Sequence, residues 1–180
     1  MNVTIEKPEI ISLMYRQERS DSDYGSCLWA RFYLDTKNYT MSVESDCGNY
    51  SYGWCPTPDH ESFLHLLCRM DKSYLLDKLA NRTVVNGEAT FEAMKEMLES
   101  EEIKLSDDLM DELKEACYHK RTADSVYDEV SSALKYTGLD DTIGDYEIYS
   151  CIVMDYSSAA KKIVDVFESA IVPKLREMEE

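Results

Sequence analysis

Between Leu28 and Trp54 three stretches of the chain alternate in character residue by residue. Leu28, Ala30, Phe32 and Leu34 alternate with Trp29, Arg31, Tyr33 and Asp35, and Tyr39, Met41 and Val43 alternate with Thr40, Ser42 and Glu44. Tyr50, Tyr52 and Trp54 then alternate with Asn49, Ser51 and Gly53. A period of two with one polar face is the pattern of a half-buried antiparallel sheet. The links "DTKN" and "SDCGN" carry hairpin turn chemistry, with Gly48 or Asn49 available for a positive φ. The three segments therefore predict a meander. Upstream, Asn2 to Tyr15 leans towards strand with Pro8 as a break or edge position, and "RQERSDSDYG" reads as a polar loop.

The period changes after Trp54. Thr57-Pro58 is a good helix start, because proline at the first helical position forfeits no needed N–H. Phe63, Leu64, Leu67 and Met70 define one apolar face, and Leu75, Leu76 and Leu79 continue it after a break near Asp71. Asn86-Gly87 interrupts again, and Phe91, Met94 and Leu98 mark a third helix. A fourth starts with Ser106 as its cap and buries Leu109, Leu113 and Ala116 or Cys117. A fifth runs from about Ala123 to Tyr136 and stops before Gly138. "YEIYSCIVM", Tyr146 to Met154, is β-branched and aromatic enough to predict a late strand joining the first sheet. A last helix begins near Ser157 or Ser158, with Ile163, Phe167 and Ile171 in register and Pro173 set to kink or restart it.

The fold class that follows is α+β in one domain, 1–180. Residues 1–56 are mainly β and 57–138 mainly helical, with a strand at 146–154 and a helix at 157–180. The chain has 180 residues and is 44% hydrophobic, enough for a normal core. It has no apolar run near membrane-spanning length and no basic-then-apolar leader, so no membrane partner is expected and the location is read as cytoplasmic. Six cysteines without a CxxC pair read as buried thiols rather than a disulfide framework.

The sharpest local cluster for chemistry is Cys47, Cys55, His60, His65 and Cys68. His65 and Cys68 stand three apart on a predicted helix face, a spacing that could share an ion. The remaining spacings match no common zinc finger, ribbon or knuckle. Placed separately, Cys55 ends a strand, Cys68 borders an apolar stripe, and Glu61 pairs with His65 at i,i+4. No metal or other cofactor is therefore expected, and these five residues are the fallback set. "DSDYGS" and "DDTIGDYE" lack the calcium-loop ligand pattern, and there is no phosphate-binding glycine loop or GxSxG elbow. With no catalytic motif, the chain reads as a non-enzyme.

Charge changes the picture most. The net charge is −17, and it is uneven: residues 1–90 carry 13 acids and 9 bases, residues 91–180 carry 23 acids and 10 bases. Binding nucleic acid directly needs a basic footprint, so no such binding is expected. From Glu92 to Glu115 ten acids face three lysines (Lys95, Lys104, Lys114). The candidate partner-binding surface is Glu96, Glu99, Glu101, Glu102, Asp107, Asp108, Asp111, Glu112 and Glu115. Asp108, Asp111, Glu112 and Glu115 follow i, i+3, i+4, i+7, one stripe opposite Leu109 and Leu113. Asp107 and Asp108 suit a first-turn dipole. The others gain nothing locally, because like charges at i,i+4 repel. A solvated face accounts for such a stripe, and so does imitation of nucleic acid towards a basic protein.

The run "SDCGNYSYGWCPTPDHESFLHLLCRMDKSYLLDKLANR", with "RFYLDTKNYTMSVE" before it, resembles small proteins of phages and prophages of Gram-positive bacteria. Those share an "SDxGNYxYxW" strand, an "SFLxxL" helix and a "YLLxKL" helix, and the likeness spans roughly residues 28 to 82. Many anti-CRISPR proteins look like this, and some inhibit type II effector nucleases by occupying DNA-binding surfaces. The resemblance implies a phage-encoded inhibitor in the cytoplasm of an infected host. Its partner would be a basic nucleic-acid-binding protein such as a CRISPR effector nuclease, with or without guide RNA, whose heteroduplex channel is positively charged. A small phage metalloenzyme using the 47–68 span, or a phage assembly factor, are the alternatives it leaves open.

Overall fold

The computed structural model of the chain describes residues 3–5, 7–56, 62–119, 122–135 and 143–179. The elements are β1 (Ile10–Arg16), β2 (Trp29–Asp35), β3 (Thr40–Ser45), β4 (Tyr50–Gly53), α1 (Phe63–Arg69), α2 (Lys72–Leu79), β5 (Arg82–Val85), α3 (Gly87–Ser100), α4 (Asp107–His119), α5 (Ala123–Lys135), α6 (Asp145–Cys151), β6 (Met154–Tyr156), α7 (Ser158–Val166), a π-helical turn (Phe167–Ile171) and α8 (Val172–Glu179). The class is α+β, as expected. Chain contacts divide it into two compact units, one of residues 1–81 with 158–180 and one of residues 82–157.

The first unit is the meander and the helices on it. Strands β1 to β4 form an antiparallel sheet in sequence order, with Phe32 opposite Val43 and Leu34 opposite Met41. Alternation buries Ala30, Phe32, Leu34, Met41 and Val43 on one face. That face meets the C-terminal helices, where Phe32 and Phe167 pack with ring centroids 5.8 Å apart. Of the two turn candidates, Gly48 takes the positive φ, at 124°. In the β2–β3 turn Asp35 Oδ1 accepts the Lys37 and Asn38 N–H groups, both at 3.1 Å.

Leu28 departs from its expected buried position and is 43% exposed. The ladder starts one residue later, because the Leu28 N–H donates to the Asp46 carboxylate at 3.0 Å instead of to a strand. The Thr57-Pro58 start lies outside the described residues. Within them α1 is capped by Ser62, whose side chain accepts the His65 N–H at 3.0 Å, and α2 by Asp71, which accepts the Tyr74 N–H at 2.9 Å. Each cap satisfies a donor that the helix itself leaves open.

Pro173 does not restart the last helix, which runs on through a π turn from α7 into α8. The Val172 N–H reaches back to the Phe167 carbonyl, a π bond immediately before the proline. Proline lacks an N–H and its ring crowds the carbonyl four residues back. One wider turn relieves both, and the helix continues as α8.

Among its described residues the second unit is built on two short strands and four helices. Strand β5 pairs antiparallel with β6, with a register shift between Arg82 and Val84. The late strand therefore exists, but it covers only Met154–Tyr156 and partners β5 rather than the first sheet. Most of the segment expected to be strand is α6. Its aromatic and branched residues suit either state, but Ile148 and Cys151, three apart, are both buried, and Asp145 and Glu147 favour a helix N-terminus. The core joins Met94, Leu98, Leu113, Val126, Val130, Leu134, Ile143, Ile148 and Cys151. Buried Thr90 ties α3 to the chain before β6, its Oγ1 accepting the Val153 N–H at 3.0 Å.

Gly87, expected only to interrupt a helix, opens α3 against the end of α4. A Cβ there would lie 2.6 Å from the Cys117 carbonyl oxygen and 2.9 Å from Tyr118 Cα, both backbone atoms. Glycine to alanine in a helix ordinarily gains stability. Here Gly87→Ala is expected to lose about 1–3 kcal/mol by overpacking, measured as a lower urea midpoint at unchanged m-value.

Candidate interaction surface

Helices α3 and α4 present the acidic surface because their other faces are fixed in the core. Asn86 caps α3 by accepting the Ala89 N–H at 3.1 Å, and Ser106 caps α4 by accepting the Leu109 N–H at 3.4 Å. Inward go Thr90, Met94 and Leu98 from α3, and Leu109, Leu113, Ala116 and Cys117 from α4. Spacing of three and four then leaves Glu92, Glu96, Glu99, Asp107, Asp108, Asp111, Glu112 and Glu115 exposed, and Glu101 and Glu102 are exposed in the link.

The link has a strained point. Glu102 has φ 57°, the left-handed region. The Ile103 N–H closes the α3 terminus onto the Leu98 carbonyl at 2.9 Å, the six-to-one bond of a Schellman ending. Half-buried Ile103 packs on the same core that holds Leu98, the usual apolar companion of that ending. The left-handed residue in such endings is usually glycine, because a side chain there costs roughly 1–2 kcal/mol. Here the position holds a carboxylate.

Compensating charge is sparse. Lys95 pairs with Glu92 at 2.9 Å and His119 with Glu115 at 2.6 Å. Among the described residues Glu96, Glu99, Glu101, Glu102, Asp107, Asp108, Asp111 and Glu112 form no ion pair. Residues 82–157 as a whole carry 19 acids and 7 bases, a net of −12; the other unit carries 17 acids and 12 bases, a net of −5. On α4, five like-charge pairs at i,i+3 or i,i+4 oppose the helix by about 0.2–0.5 kcal/mol each. Burial of Leu109 and Leu113, at about 1.5–3 kcal/mol apiece, outweighs that repulsion.

Helices α5 and α6 add an aromatic feature that the pattern reading missed by taking residues 146–154 as strand. Tyr127 and Tyr149 stack with centroids 4.4 Å apart and planes 13° from parallel. The Tyr127 hydroxyl donates to Asp145 at 2.6 Å and the Tyr149 hydroxyl to Asp124 at 3.2 Å. The Asp145 hydrogen bond holds the Tyr127 phenol above the usual tyrosine range; partial burial, then Asp124, does the same for Tyr149. Tyr146 beside them is 79% exposed. Gly144 followed by Asp145 and Glu147 was the signal in the sequence for a helix start here.

Among the described residues the Cys/His set does not converge on one point. Cys55 is exposed just past β4, and His60 lies outside the described residues. His65 is exposed on α1 with Nδ1 3.3 Å from Glu179 Oε2. Cys68 is half-buried, its thiol pushed up by burial and then by Glu179. Cys47 sits beside Cys27 and Asp46. Among the described residues those three are the only group of three or more metal-ligating side chains that converges, their ligand atoms within 4.8 Å of one another. Among the described residues, no helix is long and apolar enough to cross a membrane.

The fold and surface together define a small α+β protein whose most distinctive exposed feature is a two-helix field of carboxylates. The chain matches the model of the phage family phiTE_072 over residues 3–177, and it belongs to that family. No curated protein and no solved structure matches it.

Glu102 offers a test of how the link is held. Glu102→Gly is expected to raise stability by about 0.5–1 kcal/mol in denaturant unfolding, relief of the left-handed side chain exceeding the added chain entropy.

Proposed function

We propose that this phage-family protein is an inhibitor that binds a basic, nucleic-acid-handling host protein through the α3–α4 carboxylates. The target class is a CRISPR effector nuclease or a similar DNA-handling defence protein, blocked in DNA binding or cleavage. The observation that carries the reading is the set of ten exposed acids between Glu92 and Glu115, eight of them outside any ion pair among the described residues. Two packed helices hold these carboxylates on rigid backbone, so a basic groove meets an ordered array of negative charge with little conformational entropy to lose.

The strain at Glu102 supports the same reading. A strained position that keeps an acid where glycine would fold more easily suggests a use for the acid beyond folding. Solubility alone would be served by acids anywhere on the surface. A nuclease channel that grips a duplex by its phosphates is lined with lysine and arginine, the chemistry this surface complements. The phage family supplies the biological setting in which such a binder is useful.

The decisive variant reverses Asp111, Glu112 and Glu115 to Lys together, all three being exposed and outside the core. In a DNA-cleavage assay with guide-loaded effector nuclease, the variant is expected to need at least about tenfold more protein for half-inhibition. Its circular dichroism and urea midpoint should stay near wild type, since like-charge repulsion on α4 is relieved rather than added. Equal inhibition by the variant and the wild type contradicts the role given to the stripe.

A further inference from the structure

Cys27 and Cys47 are 20 residues apart in sequence, one entering β2 and the other leaving β3, and their sulfurs approach to 2.8 Å. A covalent disulfide measures about 2.05 Å. Two thiolates on a tetrahedral zinc ion, with Zn–S bonds of about 2.3 Å, stand about 3.8 Å apart. The observed separation lies between the two and nearer the disulfide.

The approach is set by backbone rather than by two flexible side chains. Beyond the paired residues Ala30 and Ser45, the Asp46 N–H continues to the Trp29 carbonyl at 3.4 Å. The Asp46 carboxylate accepts the Leu28 and Trp29 N–H groups at 3.0 and 3.2 Å. Burial pushes that carboxyl up, but these hydrogen bonds outweigh it and leave it below the usual carboxylate range. From the other side, the Tyr50 hydroxyl donates to the Cys47 carbonyl at 3.2 Å. The remaining thiols contrast with this pair. Cys117 contacts the Met94 sulfur and Cys151 the Ala93 carbonyl, while Cys55 is exposed.

We propose that Cys27 and Cys47 are a reversible dithiol–disulfide pair, oxidised by a low-molecular-weight disulfide such as oxidised glutathione, that staples the open end of the β2–β3 hairpin. Cys47, the more accessible of the two, loses its proton to solvent and attacks one sulfur of the oxidant. The oxidant's S–S bond breaks, one small thiolate leaves and takes up a proton, and Cys47 carries a mixed disulfide. Cys27 then loses its proton and attacks the Cys47 sulfur; the mixed bond breaks and the second small thiol leaves. Two protein thiols are oxidised and one small disulfide is reduced to two thiols.

Burial, and then the neighbouring Cys47, hold the Cys27 thiol well above the ordinary cysteine range, so it resolves the mixed disulfide rather than starting the exchange. The closed link fixes the segment that presents Leu28 and Trp29 to a surface groove shared with Met14, Arg16 and Arg31.

The test uses the full chain, reduced, desalted and incubated with oxidised glutathione, then mapped by non-reducing peptide mass spectrometry. The expected product is a Cys27–Cys47 linked peptide, lighter by two hydrogens and restored by dithiothreitol, with the melting temperature raised by about 5–10 °C. Cys27→Ser should stop at a glutathione adduct on Cys47. Wild-type protein that stops at that adduct, or that leaves both thiols free while Cys55 reacts, overturns the proposal. So does stoichiometric zinc in the purified protein that is lost in Cys47→Ser, which would make the pair a metal site.

Discussion

The carboxylate field depends on the apolar seam between α3 and α4. Met94 and Leu98 on one helix, and Leu109, Leu113, Ala116 and Cys117 on the other, are buried together in one core. Gly87 lets the start of α3 come against the Cys117–Tyr118 backbone. Without that seam the ten acids between Glu92 and Glu115 would favour an expanded chain, since each like-charge pair opposes the helical state. Hydrophobic burial is stronger per residue than screened repulsion between exposed charges, so the seam wins and the acids are held in fixed order.

Charge is divided unevenly between the two units. The unit of residues 82–157 carries a net of −12, while the sheet-bearing unit carries −5 and keeps 12 basic residues. In the sheet-bearing unit Lys162 meets Asp23, Lys72 meets Asp165 and Lys174 meets Glu177. Around α3 and α4, among the described residues, matching is limited to Glu92 with Lys95 and Glu115 with His119. An unmatched field of one sign steers basic partners and repels nucleic acid. The Tyr127–Tyr149 stack, braced by Asp145 and Asp124, adds aromatic surface to the same unit.

Much of this was legible in the sequence where one local pattern governs one face. Phe32, Leu34, Met41 and Val43 alternate strictly and are all buried, and Ser106, Leu109 and Leu113 announce α4 with its cap and its buried face. The carboxylate spacing on α4 carried over for the same reason: a helix with a fixed inner face has a fixed outer one. What stayed hidden depends on distant partners. Strand β5 is four residues whose partner, β6, lies some seventy residues on, so no local period reveals the pair. In α6 the aromatic and branched composition pointed to strand, and only the core around Ile148 and Cys151 selects helix. The meeting of Cys27 with Cys47 likewise follows from how Asp46 folds the hairpin end, not from cysteine spacing. Pro173 signalled a disturbance, but the π turn that absorbs it is a property of the packed helix.

On the proposed function the acidic surface takes the place of nucleic acid on a basic partner, and competition with a duplex is the sharpest test. A fluorescent target duplex bound to a guide-loaded effector nuclease would be titrated with the protein, and its anisotropy followed at low and at high salt. The protein is expected to displace the duplex, and displacement to weaken steeply as salt screens the carboxylates. A ternary complex that keeps the duplex bound, or an affinity indifferent to salt, would contradict it.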